Sequence, residues 1–384
     1  MKYLVRRVIF EDRWQAQLAD LIALCGRVPI EEVLLLEQSH QMLMAPWPLE
    51  KHRRMAEVYR HMAVELHRHG IGFGVNIATL VGHGDTWVTE RYLLPYSRFV
   101  GADLKPAHAC YCLLDEGWQE YAASVCALYA LGQPGKLFVD DDFRTLNHSV
   151  PVGCFCPIHA RRTSEALGIT LTSEALLRRV AGTSAEDRAT REAWMRINFE
   201  GLLAAARKIR VAVAQVSPVT RVGLMISNEP GHALQGRDND RLLREFAGPG
   251  RRPLTRPTGG AYCDILHGEV LMAHQRMALD ISVLGTDVEI VSEVENYPHT
   301  RFSKSVAFTR LQMFLHALAG AEGMTLNIFD YLATPFDREP QWERMLSEIK
   351  PSLARVAAEV KGKPQSLATR GRGEVRVKKA GFLI

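Results

Sequence analysis

No apolar run in this 384-residue chain approaches the roughly 20 residues needed to cross a bilayer. The opening stretch MKYLVRRVIFEDRWQ has neither the apolar core nor the cleavage site of a secretory signal. Together these absences predict a cytoplasmic protein with no membrane partner. Charge of one sign is not in excess. Lys and Arg number 47 against 43 Asp and Glu, a net +4, which is too mild to imply a nucleic-acid partner. Cysteine is scarce at seven residues, an odd number without an export signal, so reduced thiols or metal ligands are expected in place of disulfides. No Gly-rich phosphate loop follows the first apolar strand, which argues against a doubly wound nucleotide-binding sheet.

What the chain does have is ordinary globular material, 47% hydrophobic and 23% charged, enough for a large core. Short apolar runs alternate with helical patterns. Strands are expected in the segments 31–40, 70–84, 108–117, 135–144, 220–231, 251–262, 286–298 and 323–332. Helices are expected at 50–69, 118–131, 185–213, 301–320 and 339–360. Eight β-then-α units predict an α/β fold of the (β/α)8 TIM-barrel type. The barrel should occupy 1–345, with a metal loop near 110–160, and a C-terminal helix and basic tail should fill 346–384.

A barrel of this kind carries its chemistry where the strands end at their C-terminal side. Polar residues collect at those points: Glu37 and His40, Asn76 and His83, Asp115, Asp140 to Asp142, Asn228 and Glu229, Arg256 and Tyr262, Glu293 and Glu295, Asn327 and Asp330. Alternation along the seventh strand puts Glu289, Glu293 and Glu295 on one side. If the fourth strand stays regular, Asp140 and Asp142 point one way and Asp141 the other. Carboxyls this close cannot all ionise freely, so at least one should titrate high. A raised carboxyl on one strand facing a carboxylate on another is what glycoside hydrolysis needs. Glu229, in the stretch Ser227-Asn228-Glu229-Pro230, is a rival for the acid.

Cys154, Cys156 and His159 are spaced for one metal ion, and zinc accepts such ligands tetrahedrally. Either Cys110 or Cys112 offers the fourth, which would close the site and make it structural. Cys25, Cys126 and Cys263 read as ordinary thiols. A metal-dependent hydrolase using the aspartates and His148 is the rival metal reading.

Together these motifs resemble the zinc-bearing β-galactosidases of glycoside hydrolase family forty-two, in the clan of retaining barrel glycosidases. Asp140-Asp141-Asp142-Phe143 is similar to that family's acid/base stretch, and Cys154-Phe155-Cys156-Pro157-Ile158-His159 to its zinc knuckle. Val294-Glu295-Asn296-Tyr297-Pro298 is similar to its nucleophile stretch. The resemblance implies Glu295 as nucleophile, Asp142 as acid/base, and Cys112 with Cys154, Cys156 and His159 around a structural Zn2+. It also implies a small carbohydrate substrate, a β-linked sugar such as a galactoside cleaved from one end. Asn76, Asp140, Asp141, Arg256, Tyr262, Glu293 and Asn327 would line the sugar subsite. Asp142 is one methylene shorter than the family's glutamate, Asp141 replaces its asparagine and His159 its last zinc cysteine. No counterpart of the family's later trimerisation domain follows, which leaves the homo-oligomer open. An N-acetylhexosaminidase-like hydrolase and a carbohydrate-binding barrel without turnover are the alternatives.

Overall fold

The computed structural model describes residues 1–37, 45–83, 93–146, 148–227, 229–264 and 268–360. His40, Asn228 and the tail from 361 lie outside the described residues. Eight parallel strands close into a barrel: β1 (Lys2–Ile9), β2 (Glu32–Glu37), β3 (Gly72–Ile77), β6 (Lys136–Val139), β7 (Arg221–Ile226), β8 (Leu254–Pro257), β9 (Glu289–Glu295) and β10 (Gly323–Asn327). Closure comes from β1 pairing with β10 on one side and β2 on the other. The expected (β/α)8 barrel is therefore the fold.

Two expectations within it need correction, and they offset each other. The first barrel strand is Lys2–Ile9, which sequence reading passed over because Arg6 and Arg7 interrupt its apolar run. The segment 108–117 is not a barrel strand. It contributes β5 (Pro106–Tyr111), which pairs antiparallel with β4 (Arg98–Val100) in a separate two-stranded sheet. The strand carrying the aspartates remains fourth around the barrel and the strand carrying Glu293 and Glu295 remains seventh.

The lumen is filled in layers. At the N-terminal end, ion pairs join Lys136 to Glu32 and Arg221 to Glu289. Above them Leu4, Leu34, Phe138, Met225, Leu254 and Val291 form one apolar layer. Small lumen-facing residues make room for it: a Cβ on Gly74 would fall 2.8 Å from Leu34 Cδ1. Two residues further along each strand, alternation returns the chain to the lumen with Arg6, Asn76, Asp140, Arg256 and Glu293. The apolar layer is thus a floor, and the polar layer stands on it at the C-terminal mouth.

Outward-facing residues such as Val5, Val33, Val75, Leu137, Leu224 and Ile290 pack against a ring of helices in the main core. Among these are α1 (Trp14–Arg27), α2 (Leu49–Arg68), α3 (Glu116–Ala130), α4 (Pro157–Leu167), α5 (Ser173–Ala181) and the long α6 (Ala185–Val216). Reciprocal bonds between Ser184 and Asp187 cap the start of α6. Later helices are α7 (Glu229–Ala233), α8 (Asn239–Ala247), α9 (Glu269–Ser282), α10 (Val306–Leu318) and α11 (Pro340–Val360). The helix expected at 339–360 is α11, and it buries Trp342, Leu346, Ile349 and Leu353 in the main core. Among the described residues, no helix is long and apolar enough to cross a membrane.

Candidate active site and metal cluster

Two guanidinium groups organise the mouth. Arg6, on β1, reaches Glu295 at 2.8 Å, Glu293 at 3.6 Å and Asp140 at 3.9 Å. Arg256, on β8, bonds Glu293 through one nitrogen and Asp140 through the other, the latter at 3.2 Å. Both arginines are almost fully buried. A buried carboxylate is costly unless paired and hydrogen-bonded, and here each of three acids is. Asn76 Nδ2 also donates to Asp140 Oδ2 at 2.9 Å. Glu293 accepts from Thr258, the Gly259 amide and the Tyr262 hydroxyl at 3.0, 3.2 and 3.3 Å. Burial nevertheless pushes the Glu293 carboxyl up to about 7, against the pull of Arg256.

Glu295 sits last on its strand, where its side chain keeps 11% exposure. Arg6 and Asn327 Nδ2 (2.9 Å) both hold its Oε2, and His299 lies 3.6 Å from Oε1. Two donors thus meet on one oxygen of Glu295. Asn327 also bonds the Tyr331 hydroxyl, at 2.5 Å, and Lys304 Nζ donates to the Glu295 carbonyl at 3.2 Å.

The three aspartates part company because β6 ends at Val139 and the chain turns. Asp140 enters the lumen as expected. Asp141 sits at the mouth with 21% of its side chain exposed, 3.3 Å from Arg144 and 3.6 Å from His83. Burial works against its ionisation, but Arg144, then His83 and Arg256, overcome that and hold its carboxyl well below the usual carboxylate range. Asp142 is turned the other way and fully buried. Its Oδ2 accepts the backbone amides of Leu80, Val81 and Gly82 at 2.8, 2.7 and 2.8 Å. Burial raises its carboxyl to about 7 while those amides pull it down. In this position Asp142 pins the loop after β3 and does not face the lumen. The expectation of an acid at Asp142 assumed a regular strand through 142, and the turn after Val139 removes that premise.

Glu229 is also set apart. It begins α7, bonds Asn239 of α8 and receives its neighbours' charge from Arg237 and Asp280. Burial pushes Glu229 and Asp280 up to about 7 each. The mouth thus gathers Asn76, Asp140, Asp141, Arg256, Tyr262, Glu293, Glu295 and Asn327 from five strands or their loops. Sequence reading missed Arg6, Arg144 and Tyr331. Arg6 is the one with a signal: an arginine two residues after Leu4 and two before Val8 breaks an apolar face that ought to be buried.

The second cluster lies outside the barrel. Cys112 follows the β4–β5 hairpin, Cys154 and Cys156 precede α4, and His159 sits in its first turn. Cys112 Sγ is 3.5 Å from Cys156 Sγ and 3.5 Å from His159 Nδ1, and Cys156 Sγ is 3.3 Å from that nitrogen. All four ligand atoms lie within 4.8 Å of one another and all four residues are buried. Tetrahedral zinc with usual bond lengths would space such atoms about 3.5–3.8 Å apart, so the residues fit the ion. Cys110 is not in the group; its Sγ faces the Gly82 carbonyl at 3.5 Å. The cluster is set among Phe99, Ala107 and Cys110, and Trp194 Nε1 donates to the Cys154 carbonyl at 2.9 Å. The rival metal reading fares differently. His83, Asp140 and Asp141 also come within 4.8 Å, but Arg144 and Arg256 already supply cations there. Both His148 ring nitrogens face backbone carbonyls, those of Gly82 and Arg144.

No protein-family model matches the chain, and no curated protein does. Solved structures do. The chain is similar to the catalytic domain of a β-amylase from Paenibacillus polymyxa at 13% identity and a TM-score of 0.56, covering 91% of this chain and 99% of that one. It is similar to a β-galactosidase from the psychrophilic Marinomonas ef1 at 13% identity and a TM-score of 0.61, covering 95% and 62%. A GH42 β-galactosidase from G. stearothermophilus matches at 12% identity and a TM-score of 0.56, over 93% and 57%. The chain therefore spans about the length of the amylase domain and some three-fifths of the two galactosidases. At such identities the likeness is one of fold: a barrel of the kind these glycosidases use.

Proposed function

We propose that this chain is a glycoside hydrolase acting on a β-linked sugar, such as a β-galactoside, with retention of configuration. The observation that carries the reading is the pair Glu295 and Asp141, two partly exposed carboxylates on the seventh and fourth strands at one barrel mouth. Glu295 is the attacking group, its Oε2 held by Arg6 and Asn327. Asp141 takes over from Asp142 as the acid/base because, of the two aspartates at the mouth, it is the partly exposed one. Arg144, then His83 and Arg256, hold the Asp141 carboxyl low, while burial alone would raise it. Asp140, Glu293, Arg256, Asn76 and Tyr262 orient the sugar.

In this reading Cys112, Cys154, Cys156 and His159 hold a structural Zn2+. The ion would tie the β4–β5 hairpin to α4 and has no part in the reaction. Four thiol or imidazole ligands with no open position support that role, and reduced thiols suit the cytoplasm.

The test is a screen of aryl glycosides that includes β-galactosides, β-glucosides and N-acetylhexosaminides, with E295Q as the inactive control. Turnover by E295Q equal to wild type would sink the nucleophile assignment, and product of inverted anomeric configuration by NMR would sink retention. A carbohydrate-binding barrel without turnover is the second reading, favoured by the tight pairing of Asp141 with Arg144. Sugar binding with no turnover across the panel would decide for it.

A further inference from the structure

The loops after β8, β9 and β10 together carry a row of aromatic rings beside Glu295: Tyr262, then Tyr297 and His299, then Tyr331. Its inner members are tied to the site. The Tyr262 hydroxyl touches Glu293 and Thr258. The His299 ring lies flat on that of Tyr331, with centroids 3.8 Å apart and planes 2° from parallel, and Tyr331 bonds Asn327. Between these two pieces stands Tyr297, two residues beyond Glu295. Its ring meets Tyr262 edge-on at 6.4 Å and His299 edge-on at 5.4 Å. Tyr331 and His299 are buried, but Tyr297 is 57% exposed.

Exposure of this one ring has no packing explanation. Its neighbours Asn296 and Pro298 already fix the turn, with Asn296 Nδ2 donating to the Ile328 carbonyl at 3.1 Å. A tyrosine held by edge contacts on two sides is fixed in orientation and keeps the rest of its surface open. A rigid aromatic face beside a cluster of carboxylates and arginines suits a ligand that is polar at its edges and apolar on its C–H face. A sugar ring is such a ligand.

We propose that Tyr297 is the floor of a second sugar subsite, next to the one at Glu295, and that the substrate class is an oligosaccharide of two or more rings. This rests on the glycoside-hydrolase reading. The ring of Tyr297 stacks on the sugar that leaves, while Glu295, Arg6 and Asn327 hold the sugar that is cleaved. No bond is made or broken at Tyr297; it contributes binding on the leaving-group side only.

The experiment compares Y297A and Y297F with wild type on two probes of one sugar: methyl β-galactoside, with one ring, and β-1,4-galactobiose, with two. Methyl β-glucoside and cellobiose serve as the parallel pair. For the galactobiose or cellobiose, kcat/KM of Y297A should fall about 5- to 10-fold, the range of one aromatic contact. For the methyl glycosides it should change less than about twofold. Y297F should match wild type on both, since the ring and not the hydroxyl is used, and thermal melts check that both variants fold. Equal loss on one-ring and two-ring probes, or no loss on either, overturns the subsite. Failure of the hydrolase reading looks different: wild type turns over nothing. Calorimetry with the same probes then decides. A Y297A-sensitive preference for two rings keeps the subsite in a binding protein, and no such preference removes it.

Discussion

The stretch from Asp140 to His159 holds two clusters built on opposite principles. At the mouth, Asp140, Asp141, Glu293 and Glu295 meet Arg6, Arg144 and Arg256, so charge is balanced by charge. Around Cys112, Cys154, Cys156 and His159 the surroundings are apolar, and the four side chains face one another, with the Val100 amide donating to Cys154 Sγ and Trp194 Nε1 to the Cys154 carbonyl. The first arrangement leaves polar edges open to a substrate. The second is closed. Between them runs Asp142, whose carboxylate pins the loop 80–82 and so belongs to neither. One chain segment can serve a reactive end and a structural end because the turn after Val139 sends successive side chains in different directions.

This contrast can be broken first at Glu295. E295Q should lower kcat by about 10⁴-fold or more with an unchanged melting temperature, because it removes the attacking group and keeps its shape. D141N should cost about 10²- to 10⁴-fold, the range of a general acid. A D141N enzyme of wild-type activity would return the acid to another residue. D142A is the sharper test of the boundary between the two clusters. Three amides lose their acceptor inside the protein, so unfolding free energy should drop by about 2–4 kcal/mol in denaturant titration. Turnover per folded molecule should stay within about tenfold of wild type. Lost turnover at full stability would instead make Asp142 the acid.

On the closed side, the protein should contain one zinc per chain by elemental analysis. Prolonged chelation, or C156S, should lower the melting temperature by several degrees, since metal binding there is folding free energy. Activity should decline only as the fold does. Immediate loss of turnover on chelation, before any change in melting, would place the metal in the chemistry.

The smallest expected effect is a pH dependence. Burial raises Asp280 from 3.8 to about 7. A carboxyl that binds its proton more tightly when folded adds stability that is complete below its unfolded value and is lost as pH rises through the folded one. Wild type should therefore lose stability between pH 4 and pH 7 at this site, and D280N should lose less over the same range. Parallel pH curves for the two proteins would show that Asp280 does not titrate there.

How much of this was legible beforehand can be read from particular residues. Glu293 and Glu295 were placed on one lumen face by simple alternation, and β9 is regular enough to honour it. Cys154, Cys156 and His159 were read by spacing alone, and a local cluster keeps its geometry wherever the fold puts it. Asp142 was misread because a run of three aspartates does not say where a strand stops. The segment 108–117 was misread because an apolar strand in a hairpin and one in a barrel have the same pattern. Arg6 was missed because its role depends on β1 closing against β10, a contact between the two ends of the barrel.

By itself, the sequence determined the barrel, the order of its strands from the fourth onward, the lumen face of β9 and the three-residue core of the Cys/His cluster. These follow from periodicity and short spacing, which the backbone obeys locally. Only the tertiary structure decided which aspartate reaches the mouth, which cysteine completes the cluster, and that two arginines from distant strands hold three acids together. Those outcomes depend on where a strand ends and on which strands become neighbours when the barrel closes, and neither is encoded within any one stretch of chain.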